Sequence, residues 1–70
     1  MNKPMSRKQY KEYLLEQMLA AVIAAEKTKE GFIISVHRMS DVISLSRHLV
    51  ELSYDFPEAD KVHIELLSIH

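Results

Sequence analysis

Val62-His63-Ile64-Glu65-Leu66 alternates apolar and polar without a break, the period-two pattern of a strand with one buried face. How this stretch is read decides the fold. A competing reading exists: Asp55-Phe56-Pro57-Glu58 resembles a helix start, and Ala59, Val62, Leu66 and Ile69 would share one helical face. The strand is preferred because of a second segment upstream. Phe32-Ile33-Ile34-Ser35-Val36-His37 is short, β-branched and aromatic, and it is bounded by Gly31 and by Ser40-Asp41. A lone strand there would leave its backbone N–H and C=O groups without partners.

Working outward, Val42, Leu45, Leu49 and Leu52 recur at i, i+3, i+7 and i+10 and form the stripe of an amphipathic helix. Ser40 or Asp41 is its expected cap, and the residue before Pro57 its expected limit. Upstream, Ser6-Arg7-Lys8-Gln9 fits a capping box, and Met5 and Tyr10 stand where a hydrophobic staple would form. Gly31, the only glycine, is the expected left-handed residue that ends this first helix.

The expectation is a single small domain over 1–70 of the α/β or small α+β class, in the order α-β-α-β. Helices fall at about 6–30 and 41–54, strands at about 32–37 and 61–68, with residues 1–5 flexible. A parallel strand–helix–strand crossover would place its helix over Phe32, Ile34, Val36, Val62, Ile64 and Leu66. The first helix would cover the opposite face, against Ile33, Leu67 and Ile69. Two strands are too few to stand alone, so the sheet is expected to be completed by oligomerisation.

Size points to the same conclusion. A chain of 70 residues buries a marginal core, and with no cysteine it has neither a disulfide nor a thiolate metal site to reinforce it. Met18 to Ala25, MLAAVIAA, has no polar side chain, yet eight residues fall far short of the roughly 20 that span a bilayer. At 100° per residue the first helix is wet only along Glu12, Glu16, Ala20, Ile23 and Lys27, which leaves an apolar sector much wider than the ~100° of a surface helix. Its length, roughly 36 Å at 1.5 Å per residue, exceeds the diameter of so small a domain. Leu14, Leu15, Met18, Ala21, Val22 and Ala25 are therefore the expected interface of a homo-oligomer, with a dimer favoured.

Charge and chemistry narrow the function classes. The net charge is −1, but residues 1–11 carry Lys3, Arg7, Lys8 and Lys11 with no acid. Residues 51–60 carry Glu51, Asp55, Glu58 and Asp60 with no base. The basic end is a candidate anion or nucleic-acid contact at a helix N-terminus, against which the missing aromatic interleaving weighs. Tyr54 and Phe56 are candidate anchors for a protein partner. His37, His63 and Glu65 would share one sheet face and form a weak candidate ligand or metal site.

No nucleophile elbow, phosphate-cradling glycine loop or paired-carboxylate motif is present, so neither an enzyme nor a cofactor is expected. The expected function is a cytoplasmic, non-enzymatic, self-associating protein that acts on another macromolecule as regulator, inhibitor or adaptor. The alternatives are a nucleic-acid-binding regulator and a small-ligand binder with its pocket between subunits.

Overall fold

The computed structural model describes residues 5–67. Its elements are α1 (Arg7–Thr28), β1 (Phe32–Val36), α2 (Met39–Ser53), a 3-10 helix (Pro57–Lys61) and β2 (Val62–Leu66). Two helices and a two-stranded parallel sheet make a small α+β fold. The VHIEL stretch is a strand. It pairs in register with β1, Phe32 opposite Val62 and Val36 opposite Leu66, and the Leu67 N–H donates to the Val36 carbonyl at 2.7 Å. Residues 1–4 and 68–70 lie outside the described residues, and with them the expectations for Lys3, Ile69 and most of the N-terminal arm.

The start of α1 forms as its sequence requires. The Gln9 N–H donates to Ser6 Oγ at 3.1 Å and the Ser6 N–H donates to Gln9 Oε1 at 3.0 Å, closing the capping box. The other end departs from expectation. The left-handed residue is Lys29 (φ 62°), whose N–H donates to the Ala25 carbonyl, and Gly31 has no positive φ. That bond and the Glu30 N–H, which donates to Thr28 Oγ1 at 3.2 Å, close the turn locally, and the Lys29 carbonyl also accepts the Lys61 ammonium at 2.9 Å. Gly31 serves a different need. A Cβ on it would stand 3.2 Å from the Lys61 carbonyl, so glycine lets the chain pass close to the entry of β2.

At α2 the helix starts at Met39 with Arg38 as N-cap and no side-chain cap, so neither Ser40 nor Asp41 fills the capping role. Asp41 instead sits buried in the first turn, where the helix dipole favours a carboxylate. Phe56 is extended before Pro57, as the proline ring demands.

Both helices pack on one face of the sheet, which corrects the expectation that α1 covers the face bearing Ile33 and Leu67. Phe32, Ile34, Val36, Val62 and Ile64 point toward the helices and join one core with Leu14, Met18, Val22 and Leu45. On the other face Ile33 is 64% exposed, and Ser35, His63 and Glu65 are exposed beside it. The physical reason lies in α1 itself. Its wide apolar sector meets the sheet, α2 and the 3-10 helix together, so three elements cover it from one side.

The alanines serve that packing. Ala25 and Ala59 are both fully buried, and next to them the Glu58 N–H donates to Glu26 Oε2 at 2.6 Å, drawing the 3-10 helix onto α1. Each fully buried side chain of the size of Met18 or Leu45 stabilises the fold by about 1.5–3 kcal/mol before packing terms.

Candidate interaction surfaces

The residues expected to form an oligomer interface fall mostly inside the chain's own core. Leu14, Met18, Ala21, Val22 and Ala25 are buried by β1, β2, α2 and the 3-10 helix, and Leu15 is half-buried at the margin. That face of α1 is already occupied. The wet stripe is where its spacing puts it: Glu12, Glu16, Ala20 and Lys27 are exposed, with Ile23 partly so.

Exposed apolar side chains such as Met5, Tyr13, Ile23 and Ile33 are scattered over the described surface, and two places hold several together. One is a groove of about 380 Å³ between the helices. Leu15, Met18 and Leu19 of α1 and Leu52 of α2 form its apolar floor, and His48, Glu51 and Asp55 stand along the α2 side. On α1, Glu12 and Glu16 follow Leu19 round the helix, while Lys8 and Lys11 stand one to two turns before Leu15 on the groove side.

The second is the outer face of α2. Met39, Ile43, Val50 and Tyr54 are 50–84% exposed and follow one another by four, seven and four residues, one stripe along the helix. Ser46 fills the gap between Ile43 and Val50. On this flank Ser46, Val50 and Ser53 share a cavity of about 260 Å³ with Ala59, Asp60 and Val62, which places the stripe on the side of β2. The spacing was visible in the sequence; the stripe of Val42, Leu45, Leu49 and Leu52 accounts for four of the seven apolar residues of this helix, Met39, Ile43 and Val50 being the others.

The other sequence candidates separate. Tyr54 is the most exposed large hydrophobic side chain among the described residues, whereas Phe56 is half-buried and packs against the core. Arg7, Lys8 and Lys11 are exposed at the start of α1. His63 and Glu65 do share the open sheet face, where Ser35 Oγ donates to Glu65 Oε2 at 3.3 Å, and His37 is exposed just past the end of β1. Among the described residues no three side chains capable of holding a metal are gathered.

A polar clasp missed by sequence reasoning joins the C-terminal end of α1 to the 3-10 helix. Lys61 Nζ lies 2.8 Å from Glu58 Oε2, Lys29 Nζ lies 3.7 Å from Glu58 Oε1, and Glu26 accepts from the Glu58 amide. The hydrogen bond from Lys61 holds the Glu58 carboxyl below its ordinary range; partial burial opposes this, and the charges of Lys61 and Lys29 reinforce it. Glu58 in turn raises the Lys61 ammonium. The ends of this network are about thirty residues apart in sequence, so no local pattern announces it.

Comparison with known protein families, characterised proteins and solved structures finds no match for this chain. No helix among the described residues is long and apolar enough to cross a membrane. Function must therefore be argued from the surfaces themselves.

Proposed function

We propose that this is a non-enzymatic protein that self-associates and acts by binding another macromolecule, as a regulator, inhibitor or adaptor. What supports the reading is that, besides scattered exposed side chains such as Ile33 and Tyr13, several apolar side chains are grouped on two surfaces, the α1–α2 groove and the outer stripe of α2. Scattered exposed apolar residues are ordinary on a soluble chain, whereas contiguous ones mark contact sites. The two surfaces differ in charge, and so in the partner each suits. The stripe carries no charged residue at Met39, Ile43, Ser46, Val50 or Ser53 and suits a second copy of the same chain. The groove has an apolar floor with Glu51 and Asp55 along its α2 side and suits an amphipathic helical segment with a basic face, held as helices are held in apolar grooves.

The test of partner class is direct. A labelled leucine–lysine amphipathic peptide should bind the chain, measured by fluorescence anisotropy, while a leucine–glutamate peptide should not. Leu19→Asp should weaken binding about tenfold or more by placing a charge on the groove floor. Equal binding of both peptides, or none, would sink the groove reading. Binding of DNA or RNA that weakens steeply with salt, and is lost on Arg7→Ala and Lys8→Ala, would move the function to the basic end of α1.

A further inference from the structure

The self-association read above needs a seam, and the fold offers one place where two independent features meet. The first is a strand edge. In a parallel ladder alternate residues of a strand turn their N–H and C=O toward the neighbour. The Leu67 N–H bond to the Val36 carbonyl, with the observed register, places Val36, Ile34 and Phe32 facing β2. On β2 the residues facing β1 are then His63 and Glu65, and Val62, Ile64 and Leu66 turn their backbone groups outward. The second feature is the α2 stripe, which flanks that same edge through the cavity shared by Ser46, Val50, Ser53 and Val62. The β1 side offers less: the flank of α1 turned away from α2 carries Tyr13, 43% exposed and stacked on the half-buried Tyr10, followed by Gln17, Ala24 and Thr28, which are polar or small.

We propose that a second copy of this chain occupies the β2 edge and the α2 stripe, related by a twofold axis that sets β2 antiparallel to its mate about Ile64. The sheet becomes four-stranded in the order β1-β2-β2-β1. Val62 faces the partner's Leu66, Ile64 faces its own mate and Leu66 faces the partner's Val62, for roughly six main-chain hydrogen bonds at two per facing pair. Met39, Ile43, Val50 and Tyr54 pack against the partner's α2 on the helix side, with Ser46 at mid-helix permitting close approach.

Two charge arguments favour a second copy over an unrelated partner. A symmetric seam brings like residues near the axis, which charged residues would oppose, and the stripe has none. On the open sheet face the same pairing sets His63 opposite the partner's Glu65, and Glu65 opposite its His63, a cross-strand pair that occurs twice. The seam also covers the free edge that an isolated sheet would present.

The absence of cysteine makes the test clean, because an introduced thiol has no competitor. Light scattering should give twice the 8.1 kDa of one chain. On oxidation Ser46→Cys should form a covalent dimer, and Gln17→Cys, on the far flank of α1, should not. His63→Glu should weaken dimerisation about tenfold by setting like charges opposite one another twice, and the swap His63→Glu with Glu65→His should restore it. Val50→Asp should abolish the dimer; should dissociation also unfold the chain, the cysteine pair still decides. A dimer that crosslinks through Gln17→Cys instead of Ser46→Cys, or that ignores His63→Glu and Val50→Asp, would overturn this seam and leave self-association standing. A chain that remains at 8.1 kDa to millimolar concentration would overturn both.

Discussion

The two helices use their apolar residues in opposite ways. Along α1, Leu14, Met18, Ala21, Val22 and Ala25 disappear into the core, and the large apolar side chains left exposed, Tyr13, Leu19 and Ile23, are only 42–43% so. The shorter α2 buries Leu45 and Asp41, half-buries Val42, Leu49 and Leu52, and leaves a whole second stripe outside. Position explains the contrast. α1 is met by the sheet, α2 and the 3-10 helix, whereas α2 lies on the β2 side, where among the described residues the sheet ends. A helix that is apolar nearly all round can be satisfied within a small chain if several elements converge on it. A helix with an ordinary core stripe can still carry surplus apolar surface if it sits at the end of a layer. The polar contacts divide the same way: the clasp of Glu26, Lys29, Glu58 and Lys61 ties α1 to its neighbour, and nothing comparable spans the outer face of α2.

The sharpest way to break this contrast is to charge the two sides of α1. Ala21→Glu would put an unpaired carboxylate into the core at a cost above about 4 kcal/mol, comparable to the whole stability of so small a domain, and should unfold it. Ala20→Glu, next to it on the exposed side, should change stability by no more than about 0.5 kcal/mol. Urea unfolding followed by circular dichroism reads both, and similar results for the two would mean that α1 is not oriented as described.

A smaller effect tests the clasp. Glu26→Ala removes the acceptor of the first free amide of the 3-10 helix and should cost about 1–2 kcal/mol, visible as a lower urea midpoint. No loss would mean that apolar packing alone holds the 3-10 helix to α1.

The smallest effect is the pH response of the Glu58–Lys61 pair. Glu58 is depressed in the folded chain, so its contribution is present above its ordinary value of about 4.5 and is lost as pH falls through the depressed one. Lys61 is raised, so its contribution is present below about 10.5 and is lost as pH rises through the raised value. The difference in urea midpoint between the native chain and Lys61→Met should be small and level between those limits, vanish above the ammonium limit, and fall below the carboxylate limit to what the Lys61 bond to the Lys29 carbonyl retains. A difference undiminished well below the carboxylate range would show that Lys61 acts through that carbonyl or its methylenes instead of through Glu58.

Local signals were legible wherever the cause is local. The capping box of Ser6 and Gln9 spans three residues, the alternation of Val62 to Leu66 needs only the period of a strand, and the break at Phe56-Pro57 follows from one ring. Each could be read because its energy is decided by neighbours in sequence. The helix end at Lys29 was not legible, because a non-glycine residue takes the left-handed conformation there, while Gly31 serves a close approach to the distant Lys61 carbonyl and has no positive φ. Of the candidate surfaces, the exposed basic start of α1 and the shared face of His63 and Glu65 followed from spacing alone. The groove depended on how two helices lie against each other.

By itself, then, the sequence determined the elements, the two faces of each strand and the fact that apolar residues outnumber what a small core absorbs. Only the tertiary structure decided where the surplus goes. Both helices share one face of the sheet, so α1 is covered within the chain, and the uncovered apolar stripe falls to α2, beside the open edge of β2. Periodicity fixes which side of a helix is apolar; it takes the packing of distant segments to fix what that side meets.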